Sequence, residues 1–462
     1  MNAMSRWCLL VVMLFLVPRH CWAQNANQGG GQNNGGNNQN AGGIAIDTQG
    51  VLSLVEVDGT NQTLDAKRRL AVSRNRPAGD LNRRSKLRFV SLVALEREID
   101  QRLARKEAIP DDLFYLAGLQ RIDQLFAFPA EHDLVIAGPA DGFLADPVGR
   151  MVGIESGHPT LRLDDLVVAL RTVRTSRQLG CSIDPVPERI AELQKFIRQG
   201  GPATADEVVA RFEQMDDILG LQNIRIDGVP PDSHFATAFV EADYRMKRIA
   251  SGLENPQVKG LKSHLSMIGA KGNTMQRWWF VPAYDRVARS EDGLAYQLSG
   301  PRARLLTEEE VTDASGKRSS SSTINRSAQA FAKQFSDAFP RLAERAPVFG
   351  ELQNLIDWTV VAALLLNEKL AERVEWDQSL FLDDTRMSYP KFDVPKQVPS
   401  HVSYKRSGAM VVGLVSGGVV LNPRDAYEHA RTLAQGEELQ AARKKATDAN
   451  RPAAHPWWWD AE

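Results

Sequence analysis

Between Gln24 and Gly43 the chain carries seven Asn, seven Gly, four Gln and two Ala, and nothing else. Such a tract has no side chain able to anchor a core, so it reads as a flexible, uncharged tether. It divides the sequence into a leader of 23 residues and a body that starts near Ile44. The tether is either a spacer that holds the body off a surface or a neutral insertion.

The leader has the plan of a secretory signal peptide. Arg6 is followed by an apolar run from Trp7 to Val17, ended by Pro18 and Arg19. Cys21-Trp22-Ala23 then places small residues at −3 and −1 of a cut before Gln24. The run is 11 residues long, whereas a membrane-spanning helix needs about 20. The alternative is an uncleaved anchor. Farther on, Leu355–Leu366 is apolar but short and holds Asp357, which suits a buried helix. No transmembrane segment is therefore expected after signal cleavage. Cleavage also removes Cys8 and Cys21 and leaves Cys181 alone. A fold without an internal disulfide must rest on its core, as a large bacterial envelope protein does. With 56 Lys+Arg against 57 Asp+Glu, the chain lacks the basic excess of a dedicated nucleic-acid binder.

The body alternates strand and helix patterns. Ile44–Val57 reads as a hairpin with Gly50 near its turn. The stretch Ala66–Arg88 holds nine basic residues and one acid, a local charge of 9 − 1 = +8. It is either a patch for an anionic polymer or a solvated linker lying on the chain's own acids. Leu92, Leu95, Ile99 and Leu103 form a helical stripe, with Glu98 and Arg102 paired beside it. Strands are expected at Arg121–Phe128, Asp133–Ala137, Met151–Ile154, Gly180–Ile183, Asn223–Val229, Trp278–Val281 and Ala295–Leu298. Helices are expected at Asp164–Thr175, from Pro187, from Thr204 and at Ser233–Ile249. Asp313–Thr323 reads as an internal linker. A helical block follows, its first stripe broken near Pro340. Met410–Leu414 and Val419–Leu421 form a hairpin around Ser416-Gly417-Gly418, and Asn422-Pro423 starts a charged, Ala-rich helix.

Several pieces resemble an uncharacterised family of secreted planctomycete proteins. They are Val135–Ala140, Leu163–Arg171, Glu241–Lys247, Arg277–Phe280 and the segment Ser416–Val419. The resemblance covers residues 44 to 425. It implies an exported bacterial setting, and it carries over no catalytic residue because the family's function is unknown.

The usual enzyme signatures are missing. There is no His-Glu-x-x-His, no Cys-x-x-Cys and no Gly-x-Ser-x-Gly. Ser388-Tyr389-Pro390-Lys391 has the letters of a Ser-x-x-Lys pair, but Pro390 opposes the helix that chemistry needs. Gly269–Thr274 lacks the spacing of a phosphate loop. The acid pairs Asp164/Asp165, Asp216/Asp217 and Asp383/Asp384 read as helix first turns and loops. Cys181 reads as a small core residue.

The aromatics are the unusual feature. Arg277, Trp278, Trp279 and Phe280 form one cluster and Trp457, Trp458 and Trp459 another. One of Trp278 and Trp279 should face the core and the other the outside. The terminal indoles should dock into the protein's own groove, a partner or a glycan. The expectation is an α+β protein: mixed small sheets with packed helices, plus a mainly helical C-terminal block with a β-hairpin. Its parts are a signal peptide (1–23), a tether (24–43), an α+β domain (44–312), a Ser-rich linker (313–325), a helical domain with a hairpin (326–448) and a Trp-rich tail (449–462). The expected role is non-catalytic binding or structure in the bacterial envelope, with an extracytoplasmic hydrolase built from loops as the alternative. The binding candidates are Arg277, Trp278, Trp279, Trp457, Trp458 and Trp459. No catalytic residue, metal or cofactor is assigned. No partner is assigned; an envelope protein or a polysaccharide is the candidate, and nucleic acid is not expected.

Overall fold

The computed structural model describes residues 43–55, 80–200, 205–268, 274–313, 315–321, 325–400, 403–407, 409–423, 431–432, 437–448 and 457–461. The leader, nearly all of the tether, basic positions 67–76, positions 269–273 and the start of the tail lie outside them. The class is α+β. Its strands join into two large sheets, beside the hairpin β1 (Ile44–Ile46) and β2 (Leu52–Leu54) and the pair β6 (Phe143–Ala145) and β7 (Met151–Gly153).

The first sheet runs in the order β14 (Arg318–Ser320), β13 (Arg302–Thr312), β10 (Thr274–Ala283), β17 (Ala409–Leu421), β8 (Leu179–Asp184), β9 (Leu221–Asp227), β15 (Gln397–Pro399). Strand β16 (Ser403–Ser407) also pairs with β17. The second runs β18 (Arg431–Thr432), β11 (Arg286–Arg289), β12 (Ala295–Ser299), β4 (Gln124–Phe128), β5 (Asp133–Ala140), β3 (Ser85–Ser91), β19 (Trp458–Asp460). The main helices are α1 (Leu92–Ala104), α2 (Leu163–Thr175), α3 (Pro187–Gln199), α4 (Ala205–Leu219), α5 (His234–Ala250), α6 (Arg326–Arg345), α7 (Pro347–Asn367) and α8 (Glu437–Asp448).

Local signals explain many of these elements. Ser91, Ser233 and Asn325 cap α1, α5 and α6, each side chain accepting a backbone N–H of the first turn. Pro187 and Pro347 open α3 and α7, where a missing N–H costs nothing. Helix α6 does not break at Pro340. Phe331, Phe335, Phe339 and Leu342 are buried on both sides of the proline, and this packing holds the helix through it. Helix α7 is long and apolar enough to cross a membrane, yet 94% of that window is buried inside the fold.

The expected hairpin at Ser416–Gly418 is instead the middle of one continuous strand. Strand β17 pairs in parallel with β10 and antiparallel with β8. Gly417 has φ +133°, and a Cβ there would lie 1.7 Å from the Trp278 carbonyl oxygen. On Gly418 it would lie 1.8 Å from the Cys181 carbonyl oxygen. The glycines permit close approach on both flanks rather than a turn.

The stretch 313–325 does not separate two bodies. Asp313 Oδ1 accepts from the backbone N–H groups of Ser315 and Lys317, closing a turn into β14. Arg318 then pairs with Asp184 at 2.7 Å and Glu310 at 3.1 Å. Residues on both sides of the stretch share one core: Phe280 of β10 packs against Phe335 and Phe339 of α6 and Phe349 of α7 at 5.8–6.2 Å between ring centres. By packing, Asn38–Glu462 forms one unit.

Candidate functional site

Helix α5 crosses the first sheet and carries two groups of buried charge. The first lies around its N-terminal half. His234, the first residue after the Ser233 cap, places Nδ1 3.0 Å from both carboxylate oxygens of Asp165 on α2. Its Nε2 is 3.5 Å from Glu351 on α7. Glu351 accepts from Arg150 Nε at 3.0 Å, and the other end of Arg150 holds Glu241 on α5. Arg162 grips Asp164 with two hydrogen bonds of 2.8 and 2.9 Å. A single chain of alternating charge thus ties α2, α5 and α7 to the Arg150 loop. Adjacent helical positions face different ways, so in the sequence Asp164 and Asp165 read as separate first-turn acids. Both are buried here, since a basic partner arrives from each direction.

The electrostatics follow from this matching. Burial and the Arg162 charge oppose protonation of His234, but Asp165 and Glu351 outweigh them and raise its pKa to about 9. Burial would raise Glu351, yet Arg150 and His234 hold it down at about 2. Burial pushes Glu241 up against the pull of Arg150.

The second group lies farther along α5, at Asp243 and Lys247. Lys247 Nζ donates to Asp243 Oδ2 at 2.8 Å, to the Ile183 carbonyl at 3.0 Å and to the Gly417 carbonyl at 3.2 Å. All three of its hydrogens are used. Asp243 is fully buried, its Oδ1 has no hydrogen-bond partner, and burial raises its pKa to about 6 despite Lys247.

Beside this pair is a pocket of about 30 Å³. Gln222, Tyr244, Lys247, Arg248, Leu253 and Pro399 are among its lining residues. Gln222 is 6% exposed, and its Oε1 makes no hydrogen bond. Arg248 Nε makes none either, being 3.7 Å from Glu254. Leaving a buried polar atom unpaired costs about 1–3 kcal/mol, so the pocket keeps groups that a bound molecule would satisfy. One exposed leucine, Leu253, is among its lining residues. Sequence reasoning missed this site because its residues come from β8, β9, α5 and β15 and form no motif.

A larger cleft of about 600 Å³ lies between the Phe128–Glu131 turn, the Ser290–Ala295 turn and α8. Its buried or half-buried polar groups are engaged already. Arg443 bonds Asp292 and the Ala127 carbonyl at 2.6 and 3.2 Å, and Ser290 bonds Asp292 at 2.5 Å.

The six expected binding residues do not meet. Trp278 faces the core, its ring 4.5 Å from Phe331 and 4.9 Å from His264. Trp279 and Arg277 lie half-buried on the opposite face, with the guanidinium 5.3 Å over the indole. Trp457, Trp458 and Trp459 are buried in the other sheet, where β19 pairs with β3. Trp459 stacks on Phe89 at 5.6 Å, and Arg88 lies 4.5 Å over Trp458 while bonding Asp460 through two nitrogens. The tail therefore docks into the chain's own sheet. The same contact accounts for Arg88 of the basic stretch, and Arg84 lies 3.7 Å from Glu155.

The remaining chemical candidates sit elsewhere. Cys181 is buried, and burial with Asp243 raises its pKa. Lys391 binds Asp232 at 2.9 Å on a segment without helix, and Ser388 is exposed nearby. Among the described residues no three His, Cys, Asp or Glu side chains converge as a metal site.

Residues 181–264 match a family model described as "Protein of unknown function (DUF1598)". The matched segment runs from β8 through α3, α4, β9 and α5, and it contains Gln222, Tyr244, Lys247, Arg248 and Leu253 of the pocket. Of the pieces that carry the planctomycete resemblance, Glu241–Lys247 lies inside it and the others outside. No curated protein and no solved structure matches the chain.

Proposed function

We propose that this chain is an exported protein of the bacterial envelope, of the secreted planctomycete kind, that acts by binding or scaffolding rather than by turnover. One contrast carries the reading: His234 and Cys181, the groups with reactive chemistry, are enclosed, whereas two buried polar atoms without a hydrogen bond, Gln222 Oε1 and Arg248 Nε, line a pocket. His234 is held protonated between two carboxylates, which is the wrong state for a general base. Cys181 is held as a thiol, which is the wrong state for a nucleophile. The leader and the Asn/Gly/Gln tether support an exported body held at a distance from an attachment point.

The test is fractionation of cells expressing the full chain, with intact mass of the exported species, followed by co-sedimentation of that species with envelope fractions. The expected result is a mass that starts at Gln24 and sedimentation with the envelope. A cytosolic chain that keeps Trp7–Val17 and stays in the supernatant would overturn the reading.

A further inference from the structure

We infer that the pocket between β9, β15 and α5 receives the acetamido group of an N-acetylated amino sugar. The inference rests on the envelope-binding reading and names its ligand. The pocket offers one buried acceptor without a partner, Gln222 Oε1, and one buried donor without a hydrogen bond, Arg248 Nε. A secondary amide carries the complementary pair: its N–H donates to Gln222 and its carbonyl accepts from Arg248. The methyl group meets apolar wall from Val398 and Leu253.

Three further observations narrow the ligand. First, it is neutral at this point. Both cations that line the pocket already face acids: Lys247 has three acceptors including Asp243, and Arg248 lies 3.7 Å from Glu254, so neither charge calls for a carboxylate or phosphate. Second, the space of about 30 Å³ holds about two water-sized groups. Only the amide's N–H and carbonyl enter, and the methyl and the rest of the ligand stay at the mouth against Leu253, which lines the pocket and is 46% exposed. The C–H face of a pyranose ring suits such a rim. Third, an extended peptide is disfavoured. Strand β15 ends its sheet, but Gly50 takes the N–H groups of Lys396 and Gln397, and Pro399 has no N–H to offer. Adding a peptide strand there lacks a ladder.

The experiment is calorimetric titration of the full exported chain with three probes: N,N′-diacetylchitobiose, its deacetylated dimer, and a peptide containing acetyl-lysine. The diacetylated sugar should bind, and the deacetylated dimer should be weaker by about tenfold or more, since it leaves the pocket's polar atoms unpaired. Gln222→Leu should weaken the sugar by a similar factor while melting no lower than wild type. Leu253→Trp, which fills the mouth from an exposed position, should abolish binding independently of the buried change. Equal binding of the deacetylated dimer, binding of the peptide alone, or no heat from any probe would overturn the inference. If Gln222→Leu loses the sugar's heat but still sediments with the envelope, the pocket assignment stands and the envelope contact lies elsewhere. If wild type sediments yet binds no acetylated sugar, the assignment fails and the envelope reading survives.

Discussion

The two halves of helix α5 bury charge in opposite ways. Around His234 and Glu241, each strongly basic group lies between acids: His234 between Asp165 and Glu351, Arg150 between Glu351 and Glu241. Each half leaves one carboxylate oxygen without a hydrogen bond, Glu241 Oε1 and Asp243 Oδ1, but only beside Asp243 and Lys247 does an unpaired glutamine oxygen face a pocket. A matched network rigidifies the contact of three helices, because removing any member strands its neighbours in a medium that solvates them poorly. An unmatched site keeps free energy that a ligand can recover. The difference teaches that buried charge alone does not mark a binding site; incomplete pairing beside open space does.

The largest expected effect tests the matched half. Arg150→Met would leave Glu241 and Glu351 facing each other without their shared cation. The loss of stability should be about 3–5 kcal/mol, read from urea unfolding. A loss below 1 kcal/mol would show that the network is slack and would erase the contrast.

Next comes pH. The folded pKa of His234 is about 9, above the unfolded value of about 6.5. Its contribution is therefore complete below the unfolded value and is lost as pH rises through the folded one. Over that window stability should fall by on the order of 3 kcal/mol, and His234→Gln should flatten the fall. An equal slope in both proteins would show that His234 is not held charged.

A smaller effect is expected in the unmatched half. Lys247→Met removes the cation, but Asp243 can take up a proton and escape an isolated buried charge. The folded pKa of Asp243 is about 6, above the unfolded value of about 3.9. Its contribution is complete below the unfolded value and is lost as pH rises through the folded one. The substitution should therefore cost about 2 kcal/mol at pH 5 and more at pH 8. A cost independent of pH would mean that Asp243 does not take the proton.

The smallest effect sharpens the comparison most. Gln222→Leu deletes an unpaired buried oxygen, so without ligand it should be neutral or stabilising by up to about 1 kcal/mol. Clear destabilisation would show that the oxygen is satisfied and the pocket is not poised for an amide.

Much of the local architecture was legible before any tertiary contact was known. The stripe Leu92, Leu95, Ile99 and Leu103 became α1, with Glu98 and Arg102 joined at 2.8 Å. The turn Pro129–His132 joins β4 to β5 as expected. These signals are short-range: a cap, a proline or a period of 3.6 acts within a few residues. The one-in, one-out reading of Trp278 and Trp279 holds for the same reason, since neighbouring strand residues face opposite sides.

What the sequence alone determined is therefore the class, the caps, the buried faces and the apolar character of the three terminal tryptophans. Only the tertiary structure decided where those faces meet. Ser416-Gly417-Gly418 reads as a turn locally, and becomes mid-strand because β10 and β8 approach it from both sides. Asp460 finds Arg88 across 372 positions, and Arg150 finds Glu351 across 201. No periodicity reports such pairs, because each half is an ordinary charged residue until the fold removes water from both. The pocket belongs to the same category. Gln222 is an unremarked strand glutamine in the sequence, and only the arrival of β15 and α5 buries it without supplying a partner.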